Sequence, residues 1–273
     1  MSAHLETGAE QRPLRRGRLQ WALADAWVLA RRNLLHIPRV PELLVFSTIQ
    51  PIMFVLLFRY VFGGAIRGTG TSYVNFLMAG IFVQTVAFGS VITGIGLAED
   101  LQRGIVDRFR SLPMSHSAVL TGRTIADLVR NMFTVAVMLA VGLLVGFRPH
   151  GSVLGWIGAV GILLLISFSF SWIAAVVGLS VRSVEAAQSA GFIWLFPLTF
   201  ASSAFVPTST MPGWLQAFAD HQPITLAVNA ERALLLGLPV GSNGWQAVAW
   251  CAGILAVFVP LAVSLYRRVA ARS

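Results

Sequence analysis

Lysine is absent from this chain of 273 residues, although arginine occurs twenty times. A Walker A phosphate loop needs its lysine to reach the terminal phosphates, so the chain carries no P-loop ATPase of that kind. Schiff-base chemistry is excluded with it. Cysteine occurs once, as Cys251 inside an apolar stretch, which excludes a disulfide framework. His4, His36, His116, His150 and His221 are scattered, with no two at i,i+4 spacing, so they point to no metal site. Charged residues make up only 11%, against roughly 25% in soluble domains. There is no GxSxG elbow, no HExxH and no paired carboxylate in an apolar stretch, which removes the common hydrolases. Residues 1–20 are polar and Arg-rich with no apolar run, so no cleavable signal peptide is expected.

What is present is apolar surface. Hydrophobic residues reach 56% and the mean hydropathy is +0.74. A chain this apolar suits lipid as its solvent. The net charge of +9 is not a nucleic-acid footprint, because the arginines flank apolar stretches instead of sharing one polar face. Six stretches approach the roughly 20 residues a bilayer core requires: 43–62, 76–98, 126–147, 152–178, 188–206 and 246–266. The third and fourth are joined only by Arg148-Pro149-His150-Gly151, a tight hairpin. With the N-terminus inside, sixteen arginines fall in inner segments. Only Arg59, Arg67, Arg148 and Arg232 fall outside. That asymmetry predicts both termini in the cytoplasm.

Residues 1–18 read as a disordered cytoplasmic tail and 19–273 as one transmembrane domain. Over 19–37, Leu19, Leu23, Ala26, Trp27, Ala30 and Leu34 share one helical face, opposite Asp25, Arg31, Arg32, Asn33 and His36. Such a helix either lies in the membrane interface or packs on protein. Pro38 and Pro41 end it. The outer segment 207–245 is too apolar for a solvated loop and too broken by Pro207, Pro212, Pro223 and Pro239 for two crossings. It reads as two short helices that dip into the outer leaflet; a cap lying on the outer surface is the other reading.

The inner loop carries the densest pattern. Leu101, Ile105, Phe109 and Leu112 form a narrow apolar stripe on a helix over about 99–112, with Glu99, Gln102, Arg103, Asp107 and Arg110 facing away and Pro113 ending it. This helix suits docking into a partner's groove; a solvated helix with an Asp107–Arg110 pair fits the pattern equally. The stretches themselves are nearly free of charge. Arg59 sits near an outer end and Arg130 at an inner start, and no acid is read at membrane depth, which disfavours an ion-coupled carrier. Gln50, Gln84, Ser167, Ser169, Ser171, Ser202 and Ser203 either line a path or bond neighbouring helices. Phe168, Phe170, Trp172, Phe192, Trp194, Phe196 and Phe200 offer adhesion to an apolar substrate or ordinary packing. Gly142 and Gly146 form a GxxxG that permits close helix approach.

Taken together, three groups of residues resemble the permease subunit of ABC-2 type exporters, and within it the daunorubicin/doxorubicin-resistance permease group of actinobacteria. One is Gln50-Pro51-Ile52-Met53-Phe54 with Phe58-Arg59-Tyr60-Val61-Phe62-Gly63-Gly64. Another is Glu99-Asp100, Gly104, Asp107-Arg108-Phe109-Arg110-Ser111-Leu112-Pro113-Met114 and Gly122-Arg123. The third is Pro197-Leu198-Thr199-Phe200, Ser202 to Pro207, Met211 to Leu215 and Arg232-Ala233-Leu234. The likeness spans about residues 40–240. Asp220-His221-Gln222-Pro223 stands where the family has Asn-Pro, and Ala79-Gly80 where it has Pro-Gly.

The resemblance implies an all-α integral membrane protein with six transmembrane helices, an interfacial N-terminal helix, a cytoplasmic coupling helix and re-entrant outer helices. It implies a plasma-membrane permease that pairs with a second copy or paralogue and with a separate P-loop ATPase. ATP and Mg belong to that partner; this chain holds no cofactor and is not itself an enzyme. Glu99, Asp100, Leu101, Arg103, Gly104, Asp107, Arg108, Phe109, Arg110 and Pro113 would couple to the ATPase. Gln50, Gln84, Phe168, Phe196, Phe200 and Ser202 are the candidates for the substrate path of an amphipathic drug or lipid-like cargo. A membrane scaffold and a secondary drug carrier are the rival readings.

Overall fold

The computed structural model describes residues 41–66, 69, 71–104 and 116–272. The expected tail 1–18, the helix at 19–37, and Asp107, Arg108, Phe109, Arg110 and Pro113 lie outside the described residues. Those described are all-helical, with no strand. In chain order the helices are α1 (Pro41–Leu56), which widens into a π turn over Leu57–Phe62, α2 (Tyr73–Gln102), α3 (His116–Leu144), α4 (Val153–Ser180) and α5 (Val184–Phe200). A single 3-10 turn (Thr208–Thr210) precedes α6 (Gly213–His221), α7 (Pro223–Leu236) and α8 (Asn243–Arg272). Each of the six apolar stretches is helical. Four helices, α2, α3, α4 and α8, are long and apolar enough to cross a membrane, and a shorter apolar helix runs over Thr48–Phe62.

The centre of the bundle is α2. Most of it is buried, with Leu77, Met78, Ile81, Val83, Val86 and Ala87 fully so. It meets α4 where two glycines face each other. A Cβ on Gly178 would overlap the backbone of Gly94, and one on Gly94 would overlap Ala174 O. Backbones therefore touch, and dispersion replaces the side-chain layer that lipid cannot drive together. On the opposite flank, α8 and the start of α4 stay exposed and apolar, with Val257, Ile157 and Leu154 among the exposed side chains. A hydrocarbon solvent accepts such a face where water does not.

Three boundaries depart from the pattern. The GxxxG is split: Gly142 packs on the Met78 side chain of α2, while Gly146, at φ 101 with open space about it, lies just beyond the end of α3. The fifth stretch stops at Phe200, not 206. Ala201 leaves helical geometry, and the Gln222 side chain caps the freed end by donating to Leu198 O and Ala201 O. Leu101 belongs to the last turn of α2, which ends at Gln102, and Gly104 follows at φ 65, a conformation any side chain would strain; residues 105–112 of the expected inner helix lie outside the described residues.

The 145–152 hairpin is held from outside. Arg148 N donates to Asn75 Oδ1, and the backbone of His150 and Gly151 donates to Leu235 O. Replacing Gly178 with Ala should destabilise the fold by about 1–3 kcal/mol through overpacking. Gly161→Ala, where a Cβ meets nothing within 4 Å, should be close to neutral. Thermal unfolding of the two variants in one detergent checks this.

Candidate functional site: an intramembrane cavity between two knitted ends

Arg103, Arg123, Arg182, Arg267 and Arg268 lie at or near the ends of α2, α3, α4 and α8 on one side of the bundle. Arg123 of α3 lies in a notch on α2, so close to Gly96 that a Cβ there would collide with its guanidinium. From this notch it pairs with Asp100. Glu99 and Arg103 pair at 2.6 Å on the exposed side. Gln102 donates to Arg182 O in the α4–α5 link at 3.3 Å. Beneath them Leu97, Leu120, Trp172, Leu179, Ala262 and Tyr266 form a buried apolar cluster. The last turn of α2 is thus fixed to three other elements just before Gly104. Of the coupling candidates, Glu99, Asp100 and Arg103 sit in or beside this knot.

One turn deeper is a group the sequence pattern missed. Asp127 is buried, and its carboxylate pairs with Arg130 at 2.7 Å while accepting from Thr93. Arg130 also donates to Gly89 O at 3.0 Å, and Asn131 donates to Ser167 at 2.8 Å. The expectation of no acid at depth is therefore corrected: Asp127 opens the third stretch and faces inward. The i,i+3 spacing to Arg130 was the available signal. Its pairing explains why lipid tolerates it, since each charge satisfies the other.

Above this pair a cavity of about 270 Å³ lies between α1, α2, α3 and α5. Gln50, Pro51 and Phe54 come from α1, Gln84, Thr85 and Phe88 from α2, Arg130, Asn131 and Thr134 from α3, and Gln188 and Phe192 from α5. Two path candidates, Gln50 and Gln84, meet here. The Gln84 amide oxygen and the Thr85 hydroxyl have no hydrogen-bond partner. From the cavity a run of rings climbs to the end of α1. Phe192–Phe88, Phe88–Phe196, Phe196–Phe200, Phe200–Phe205, Phe205–Phe58 and Phe58–Phe62 have centroids 5.8, 5.3, 5.6, 5.2, 4.4 and 5.3 Å apart. Phe196 and Phe200 thus lie on this run. Phe168 lies elsewhere, against Trp172, and Ser202 is buried, bonded to Thr199 O and to Ala204 N.

The far end is closed by α6 and α7. Arg232 of α7 reaches over the Phe76 ring at 3.6 Å and donates to Phe76 O, Ser203 O and Asn229. Gly80 lets the Ala204 backbone press against α2. Gln222, in the place of the family's asparagine, joins the end of α5 to the start of α7 through its two carbonyl contacts and by accepting from Ile224 N. Glu231 is 1% exposed with Oε2 unpartnered.

A polytopic helical membrane protein with a mostly apolar cavity between its helices and charges gathered at one end of the bundle is the class this geometry defines. The family model for ABC-2 type transporters matches residues 24–236. The chain is 36% identical over 269 residues to a daunorubicin resistance ABC transporter permease of Streptomyces coeruleorubidus, covering 98% of this chain and 94% of the relative. It is 28% identical over 230 residues to a probable doxorubicin resistance ABC transporter permease of Mycobacterium tuberculosis, covering 81% and 80%. A putative transport permease of Cyanophora paradoxa is 25% identical over 227 residues, covering 78% and 74%. The chain belongs to the ABC-2 type transporter family, whose members are membrane permease subunits.

One outcome follows from the buried charges. Asp127→Ala and Arg130→Ala should each cost about 3–5 kcal/mol, and the double variant less than their sum, because each single change strands one charge. Unfolding of the purified variants gives the cycle.

Proposed function

We propose that this chain is the transmembrane permease subunit of an ATP-driven exporter that moves amphipathic drugs or lipid-like compounds outward. The observation that carries the reading is a near full-length likeness to drug-resistance permeases, joined to a chain that has no lysine for a P-loop of its own. Energy then comes from a separate P-loop ATPase, which holds ATP and Mg. Two permeases, identical or paralogous, pair with two such ATPases. The Arg-rich ends face the cytoplasm and both termini lie there, in the inner membrane of a bacterium. Six helices cross: the four long ones, α1 with its π turn, and α5 completed by the chain to 206. Helices α6 and α7 re-enter the outer leaflet. The cover their backbone requires at that depth comes from α2, α4 and α8.

The ATPase docks on 99–112. Its motion reaches the bundle through the Asp100–Arg123 pair, because Arg123 seats α3 in the Gly96 notch of α2. Push on the end of α2 then moves α3 with it, and the cavity between them changes shape. A secondary carrier is less well supported, since the Asp127 carboxylate is already engaged by Arg130 and Thr93.

Co-purification with the cognate ATPase, and ATP hydrolysis that changes when daunorubicin is added, test the reading; a folded chain that binds no ATPase would overturn it. Gly96→Leu should expel Arg123 from its notch. The variant complex should assemble and hydrolyse ATP with its response to drug lost. Asp107→Arg with Arg110→Glu should likewise uncouple it. A normal drug response in both would remove the coupling assignment.

A further inference from the structure

The cavity below the phenylalanine run is unusual in what its walls leave undone. Gln84 is 4% exposed and Thr85 6%, yet the amide oxygen of one and the hydroxyl of the other meet no partner. Burying such groups costs free energy unless something supplies the missing bond. Neighbouring polar groups do not supply it. Arg130 is engaged by Asp127 and Gly89 O, and Asn131 by Ser167. Among the described residues, Gln84 and Thr85 are the cavity's buried side chains with an unpartnered polar atom. Phe54, Phe88 and Phe192 stand around them as apolar walls, and exposed Gln50 lies at the rim.

We propose that this cavity is a ligand-binding site for an uncharged molecule with an aromatic or ring-based apolar body that carries a hydroxyl hydrogen-bond donor. The inference rests on the exporter reading for its purpose, but the site is defined by this chain alone. The body packs on Phe54, Phe88 and Phe192. The donor reaches the Gln84 amide, which offers its oxygen, and the Thr85 hydroxyl either accepts or donates in turn. A charged ligand is disfavoured, because the one ion pair at the floor is already closed on itself. The rings of Phe196 and Phe200 continue the apolar wall beyond Phe88, so a ligand that leaves the cavity on that side keeps aromatic contact as far as Phe200, while Phe205 beyond it is buried in the core.

Photolabelling of the nanodisc-embedded complex tests this without requiring transport. The probes are 4-(hydroxymethyl)benzophenone and 4-methylbenzophenone, which differ in the donor alone. The hydroxymethyl probe should label peptides bearing Phe88 and Phe192 about tenfold more than the methyl probe at limiting concentration. Gln84→Leu with Thr85→Val should abolish that preference and leave methyl-probe labelling in place; Phe192→Ala should lower both. Equal labelling by the two probes in the native chain, or labelling spread along the lipid-facing side of α8, overturns the site. The comparison in the native chain stands even if a variant misfolds. Labelling as expected in a complex that exports nothing keeps the site and removes the exporter reading. Export without the probe preference does the reverse.

Discussion

The backbone contact between Gly94 of α2 and Gly178 of α4 is the constraint on which the arrangement depends. Lipid gives helices no hydrophobic reason to associate, so close packing has to supply the attraction. Once those backbones touch, α2 becomes the axle. Gly80 brings Ala204 against it at the far end, and Met78 packs against Gly142 of α3. Gly96 receives Arg123 at the opposite end. Every functional feature is fixed relative to this one helix.

Polar groups follow a single logic across the bundle. Where no water is available, each is matched or it is costly. Arg232 finds two carbonyls, an amide and a ring face. Gln222 closes the end of α5 and opens α7. Asp127 and Arg130 cancel one another. Ser171, Trp172, Trp194, Thr199 and Glu231 also carry buried unpartnered atoms, and Gln84 and Thr85 are informative because theirs line the cavity. The two knitted ends of the bundle bracket the cavity. Movement of α2 against α3 therefore bears first on the volume between them.

Much of this was legible in the chain. The helical stretches follow from hydropathy, and the 148–151 turn and the two short helices after Pro212 and Pro223 follow from proline and polarity. Gln50 and Gln84 stood out as polar residues at depth, and the structure places both at the cavity. Pairing was harder to read. Asp127 was passed over because it lies at the first residues of its stretch, where a charge is normally snorkelling; only packing shows that it turns inward toward Thr93. Gln222 looked like a mere departure from a family pattern, yet it caps two helices. The role of Gly104 in ending α2 was masked by an apolar stripe that fits helical spacing across it. The Gly96 notch has no local signal, since it depends on a side chain 27 positions later.

Drug movement itself is the most direct measurement of the central claim that this chain is a path powered from outside. Inside-out vesicles containing the chain with its ATPase, or the chain alone, would be given daunorubicin with ATP or with an imposed proton gradient. The account predicts accumulation only when both proteins and ATP are present. Accumulation by the chain alone, driven by the gradient, would contradict it and make this a secondary carrier.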